Sequence, residues 1–389
     1  MRAYKLFFSG LLCGAAIAIA QSVPVVTAVA VGSPEILAKD LQEEIMRTEA
    51  TVKDMFGRQE TKSIPMTLYR PTGDGPFPLI VFNHGRSVAS KRAEQGRYRP
   101  ENVARYLVNK GFVVIVPNRI GYWETYGSFD PEYSNCRSIE SMSIAASDQV
   151  LATVEFAKTL SYVDTSRWIV AGQSVGGLTS VATVGRAPAG LMGGINFSGG
   201  TGGNPDLSPG KPCGSDWTSI YWGSIAPQAK APMLWLYWEN DKYWGAELPK
   251  TWHSAWIKGG GNARFIQFSG VGDDGHGGLN QDMDHWLPEV DTFLNALGFQ
   301  KAAIISKPQA SAFADIDDIR KVPASESAKA AYAKFLSSKS PRAFAVSTRG
   351  GWGSATGDYA HGRAIGNCQR YGQICKLYAV DDAVVWTSP

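Results

Sequence analysis

Short apolar runs with no polar alternation recur along the chain. They are residues 79–82 (Leu-Ile-Val-Phe), 112–116 (Phe-Val-Val-Ile-Val), 168–171 (Trp-Ile-Val-Ala), 233–237 (Met-Leu-Trp-Leu-Tyr) and 265–268 (Phe-Ile-Gln-Phe), with a weaker run at 194–197. Such runs fit strands buried on both faces, as in a parallel sheet. Helix-like stretches lie between them: 101–110, 141–160 with Ile144, Leu151, Val154 and Ala157 at helical spacing, and 284–297 with Pro288 in its first turn and Gly298 just past its end. Strand and helix in alternation predict an α/β fold with a mainly parallel central sheet, whose functional residues gather at the carboxyl ends of the strands.

Both ends of the chain depart from this pattern. Arg2 and Lys5 precede a short apolar stretch, and Ala18-Ile19-Ala20 supplies a small-x-small cleavage pattern. Residues 1–20 therefore read as an export signal, with Ala28-Val29-Ala30 as a second cleavage candidate. No later stretch is long and apolar enough to span a membrane. Residues 21–55 read as an N-terminal extension, 56–300 as the catalytic domain and 301–341, rich in Ala, Ser and Lys, as a helical or loose linker. Residues 342–389 read as a small C-terminal α+β module with strands near 343–346, 376–380 and 383–386 and a short helix within 358–368. Four cysteines remain after signal removal, and an even count in an exported chain reads as two disulfides. Sequence proximity pairs Cys368 with Cys375, which leaves Cys136 with Cys213.

The chemistry centres on Gly172-Gln173-Ser174-Val175-Gly176-Gly177, which follows one apolar run and opens a helix-competent stretch. Gly-x-Ser-x-Gly alone is weak, but between strand and helix it holds a serine hydroxyl exposed on a sharp turn. A serine nucleophile needs an acid and then a base further along the chain. Asp241 follows the run ending at Trp238, with Glu239 as its competitor. His276 sits among flexible glycines after the run at 265–268. His285, at the start of a helix, reads as a packing or capping residue, as do His253 and His361 in their own segments. The backbone N–H groups of Val175 and Arg86 are the expected oxyanion donors. Arg86 follows Asn83-His84-Gly85, in which His84 reads as structural. Tyr122 and Trp123 after one strand, and Tyr243 and Trp244 beside the acid, are candidates for lining the cleft.

These residues resemble the α/β-hydrolase superfamily and, within it, exported serine-containing proteins similar to dienelactone hydrolases. The resemblance runs over about residues 60–300 and rests on Asn83-His84-Gly85 and on the strings at 116–122 (VPNRIGY), 163–177 (VDTSRWIVAGQSVGG), 234–245 (LWLYWENDKYWG) and 270–278 (GVGDDGHGG). Founding members carry cysteine at the elbow where this chain has Ser174, so the resemblance implies ordinary carboxylic esters rather than dienelactones. The C-terminal module lies outside it.

Composition narrows the alternatives. Lys and Arg number 38 against 35 Asp and Glu, and the formal charge of +3 falls to +1 without Arg2 and Lys5. A nearly neutral chain gives no electrostatic footprint for nucleic acid. With five His and no CxxC or HExxH pattern, no metal is expected, and an acyl-enzyme mechanism on Ser174 implies no cofactor. The leading expectation is a secreted or periplasmic serine esterase acting on a small or polymeric ester. A peptidase or amidase with the same triad is the alternative, and an inactive binding protein is the third. The C-terminal module is a candidate for an envelope or polymer ligand.

Overall fold

The computed structural model describes residues 35–300, 307–370 and 374–387. The export segment 1–20 and both cleavage candidates lie outside them. In chain order the elements are β1 (Glu44–Lys53), β2 (Gln59–Tyr69), β3 (Phe77–Asn83), α1 (Ala89–Arg92), α2 (Glu101–Asn109), β4 (Val113–Pro117), α3 (Ile139–Ala157), β5 (Val163–Gln173), α4 (Val175–Gly185), β6 (Leu191–Phe197), α5 (Ser215–Ile225), β7 (Met233–Trp238), α6 (Leu248–Lys258), β8 (Ala263–Phe268), α7 (Gly278–Gln281) and α8 (Met283–Ala296). They are followed by α9 (Glu326–Leu336), β9 (Arg342–Ser347), β10 (Trp352–Thr356), α10 (Ala360–Gln369), β11 (Cys375–Val380) and β12 (Ala383–Val384).

The first eight strands form one sheet in the order β1-β2-β4-β3-β5-β6-β7-β8. From β4 to β8 all neighbours are parallel, while β1 and β2 are antiparallel additions at one edge. The unbroken apolar runs are explained by burial on both sides. Ile80, Phe82, Val114, Ile169 and Leu236 pack on one face with α2 and α8. Leu79, Val81, Ile115, Val170 and Trp235 pack on the other with α3, α4 and the Trp222, Trp252 and Trp256 side chains of α5 and α6. This is the expected α/β layering. In α3 the buried stripe runs through Met142, Ala146, Val150, Val154 and Ala157, whereas Ile144 is exposed.

β1 lies inside the segment read as an extension, and it pairs along its whole length with β2. Exposed residues alternate with half-buried or buried ones along it, and four of the five exposed are polar (Arg47, Glu49, Thr51 and Lys53, with Ile45), so no apolar run announces it. α9 likewise lies inside the segment read as a linker, and its Tyr332 and Phe335 pack on Phe344 of β9.

Beyond α9 a separate four-stranded sheet, ordered β10-β9-β11-β12 and all antiparallel, is covered by α10. The disulfide Cys368–Cys375 ties α10 to β11, with Cα atoms 6.0 Å apart. The described residues from Leu37 onward form one compact unit, so this module packs on the body built around the eight-stranded sheet. Gly362 and Gly366 let α10 approach closely: a Cβ there would lie 2.5 Å from the Asn102 carbonyl oxygen and 2.6 Å from that of Asn280. Tyr359 meets Tyr106 of α2 edge-on at 4.8 Å, and Arg363 pairs with Asp284 of α8. The second disulfide, Cys136–Cys213, joins the segment before α3 to the loop after β6 across 5.4 Å. No helix among the described residues is long and apolar enough to cross a membrane.

Candidate active site

The loops after β3, β5, β7 and β8 leave the parallel sheet at one edge and bring Arg86, Ser174, Asp241 and His276 together. Ser174 joins β5 to α4 with φ 59° and ψ −123°, a conformation rare for a residue with a side chain. The turn is held by hydrogen bonds from Ser174 N–H to the Phe197 carbonyl and from Gly200 N–H to the Ser174 carbonyl. It is also held by crowding. A Cβ on Gly172 would lie 2.4 Å from the Gly176 carbonyl oxygen, and one on Gly176 would lie 2.0 Å from that of Asn83. Only glycine fits either place, which is why Gly-x-Ser-x-Gly appears here.

His276 lies in a single 3₁₀ turn after β8. Its Nδ1 is 2.9 Å from Asp241 Oδ2, while Asp241 Oδ1 accepts the N–H groups of Tyr243 (2.8 Å) and Trp244 (3.2 Å). The carboxylate is therefore buried, hydrogen-bonded on both oxygens and aimed at the imidazole. Asp274 ties the two loops together by accepting from His276 N–H at 3.0 Å and Lys242 N–H at 2.9 Å. Tyr243 stacks on the imidazole at 3.9 Å, and Trp244 meets it edge-on at 5.4 Å.

Ser174, His276, Tyr243, Gln173, Gln95, Tyr98, His84 and Arg86 line one cavity of about 230 Å³. A larger concavity of about 640 Å³ beside β8 holds His285 and Asp282 but not Ser174. His285 is exposed and pairs with Asp282, whose hydrogen bond and charge raise its pKa. His253 contacts the Ala263 carbonyl at 2.9 Å, and His361 is buried in α10.

His84 orients the backbone beside the cavity. Its Nε2 accepts Arg119 N–H at 3.1 Å, so the proton resides on Nδ1, which donates to the Gly85 carbonyl at 2.7 Å. Burial, then the charge of Arg119, holds this imidazole neutral with its pKa well below 6.5, although the Gly85 bond opposes the shift. In a trans peptide the N–H points opposite to the C=O. Anchoring the Gly85 carbonyl on His84 therefore turns the Arg86 N–H away from His84. The Arg86 side chain is tied back to Asp130 and Glu132.

Of the four aromatic candidates for the cleft, only Tyr243 lines the cavity. Tyr122 is fully buried, with its hydroxyl donating to Glu132 at 3.0 Å and its ring against His84. The Arg119–Glu132 pair draws that hydroxyl inward, so Tyr122 supports the His84 loop from behind. Trp123 turns off into a 3₁₀ segment away from the cavity walls. Trp244 is buried behind His276, its indole N–H donating to the Ser198 carbonyl at 2.7 Å. Sequence reasoning missed Gln173, whose amide donates to the His276 carbonyl at 2.9 Å and so links the elbow to the histidine loop. Its position inside the elbow was the one available signal. Gln95 and Tyr98 come from an irregular segment that carries no motif.

The parallel sheet, the strained serine and the paired histidine and aspartate define an α/β hydrolase. The chain belongs to the dienelactone hydrolase family, whose model matches residues 96–292. Among solved structures it is similar to the acylaminoacyl peptidase of Pyrococcus horikoshii, with 15% identity over 66% of this chain and 42% of that one and a TM-score of 0.45. It is also similar to a protein assigned as a dienelactone hydrolase from Klebsiella pneumoniae, with 19% identity over 66% and 98% and a TM-score of 0.39. An esterase from Rhizomucor miehei matches with 16% identity over 66% and 83% and a TM-score of 0.42. The chain thus spans about two fifths of the length of the acylaminoacyl peptidase. Among curated proteins, no sequence relative matches.

Proposed function

We propose that this hydrolase cleaves carboxylic esters through an acyl-enzyme on Ser174, and that it works outside the cytoplasm after losing residues 1–20. The observation that carries the reading is the Asp241–His276 hydrogen bond at the wall of the cavity that also holds Ser174. With Nδ1–H held by Asp241, Nε2 is the basic nitrogen left to serve Ser174. His276 takes the hydroxyl proton as Ser174 Oγ attacks the ester carbonyl. The N–H groups of Val175, at the start of α4, and Arg86 receive the oxyanion. The intermediate collapses with the alkoxide leaving as alcohol, protonated by His276. Water, deprotonated by His276, then attacks the acyl-enzyme and releases the acid and free Ser174.

A cavity of about 230 Å³ falls below the ~300–1,000 Å³ usual for ligand pockets, which favours a short acyl group. The two disulfides support export, because such bonds persist in oxidising compartments. The test is a kcat/KM panel of p-nitrophenyl acetate to octanoate, feruloyl esters, polyesters and peptide anilides. Short esters should lead, and Ser174→Ala should lower turnover by roughly 10⁴–10⁶. Preference for a peptide anilide over every ester would overturn the ester reading in favour of a peptidase. Inactivity on the whole panel by folded protein would favour the binding-protein reading.

A further inference from the structure

We propose that a groove on the C-terminal module, lined by Arg349, Trp352, Ser354, Asn367 and Arg370, binds an anionic polysaccharide. The groove encloses about 560 Å³ between the β9–β10 turn and the end of α10, and among the described residues no carboxylate lines it. Its chemistry suits a uronate chain. The Trp352 indole, 36% exposed, presents an apolar face for the C–H face of a pyranose ring. Two guanidinium groups on separate walls suit repeated carboxylates, which arginine holds bidentately. Asn367 and Ser354 supply amide and hydroxyl groups of the kind that bond sugar hydroxyls.

The walls are fixed in advance. Trp352 lies parallel to the buried Phe344 ring at 5.9 Å and 5°. Ser347 Oγ accepts the N–H groups of Arg349 (3.3 Å) and Gly351 (2.9 Å), and Ser325 Oγ donates to the Gly350 carbonyl at 3.1 Å. The turn bearing Arg349 is thus pinned to its own strand and to the start of α9. Asn367 Nδ2 donates to the Ser354 carbonyl at 3.0 Å. A Cβ on Gly353 would lie 2.3 Å from Cys368 N, so β10 sits directly on α10, whose end the Cys368–Cys375 bridge secures. A preformed groove loses little conformational freedom on binding.

A chain of sugars fits better than a small anion, since the two charges stand on separate elements, the β9–β10 turn and the end of α10. Arg370 also borders the 640 Å³ concavity beside β8, whose Asp273 and Asp282 carboxylates would repel a uronate and so bound the groove on that side. Nucleic acid fits poorly, because a nearly neutral chain with two arginines in the groove lacks the extended positive surface that polyphosphate binding needs.

Affinity electrophoresis and isothermal titration of the full chain test this, with polygalacturonate and alginate as uronate probes, dextran as the neutral control and single-stranded DNA as the alternative polyanion. The variants are Trp352→Ala and Arg349→Ala, with unchanged Tm and p-nitrophenyl acetate turnover as controls for folding. Arg370 is left intact because its Nε also donates to the Gln281 carbonyl. The expected result is retardation by at least one uronate polymer, weakened by salt, with affinity reduced about tenfold or more in each variant. Absence of retardation by both uronates, equal retardation by dextran, tighter binding of DNA, or folded variants binding like wild type would each overturn the assignment. The binding readouts and the Tm control do not depend on the esterase reading.

Discussion

Burial of His361 in α10 makes the stability of the folded chain depend on pH. The imidazole sits beside Arg105 of α2, with Asp40, Asp381 and Lys307 also acting on it. Burial, then the Arg105 charge, lowers its pKa from 6.5 to about 4. In the unfolded chain the imidazole takes up a proton as pH falls through about 6.5, while in the folded chain it stays neutral until about pH 4. Its contribution to stability is therefore complete above 6.5, shrinks as pH falls and levels off below 4. At 1.36 kcal/mol for each tenfold change, the loss is about 2 kcal/mol by pH 5 and about 3 kcal/mol by pH 4. Carboxylates lose stability in the same range, so the assay is a difference. Urea unfolding of wild type and His361→Gln is measured from pH 7.5 to 4, and the gap between them is plotted against pH. The wild type should lose about 3 kcal/mol more than the variant. Parallel curves would refute the reasoning and show that His361 titrates freely in the folded protein.

His84→Phe should lower kcat for a short ester roughly 10²–10³-fold with KM changed only a few-fold, because the Gly85–Arg86 peptide loses its anchor; unchanged kcat in folded variant would contradict this. His276→Ala should match the loss caused by Ser174→Ala, whereas His285→Ala should keep turnover within about threefold, since His285 lines the other concavity and not the one that holds Ser174. In steady-state kinetics, exchanged results would move the base to His285. In the chain-entropy model, replacing Cys136 and Cys213 by alanine should cost about 4–5 kcal/mol and replacing Cys368 and Cys375 about 2–3 kcal/mol. Their loops differ in length, with separations of 77 and 7 residues, and the reverse order in urea unfolding would contradict that model here.

What could be read from the chain follows from where the physics is local. Strands β3 to β8 are covered on both faces, so their apolar runs are continuous and visible. The elbow glycines are required by contacts made within a few residues of Ser174 and across to Asn83, and such crowding leaves a motif. Chain order and a place after strands single out Asp241 and His276, which the structure hydrogen-bonds to each other beside the cavity that holds Ser174. β1 was not found, because an edge strand shows water half its residues and its alternation of Thr, Glu and Lys resembles a polar extension. Tyr122 was placed in the cleft because it follows a strand end. Whether that side chain turns toward solvent or inward depends on Glu132, ten residues away, and on Arg119. The docking of α10 depends on Gly362 and Gly366 meeting carbonyls of α2 and α7, contacts between segments far apart in sequence. The cysteine pairing was legible because an even count and the closeness of Cys368 to Cys375 leave few choices.

The claim that Ser174, His276 and Asp241 act as one device is tested most directly by covalent labelling. The full chain is treated with a fluorophosphonate at pH 7.5 and digested, and the labelled peptide is identified by mass spectrometry. A single adduct on the peptide bearing Ser174, formed slowly or not at all in folded His276→Ala and Asp241→Asn, is the predicted result. Labelling of another residue, or equal labelling rates in wild type and His276→Ala, would contradict the account.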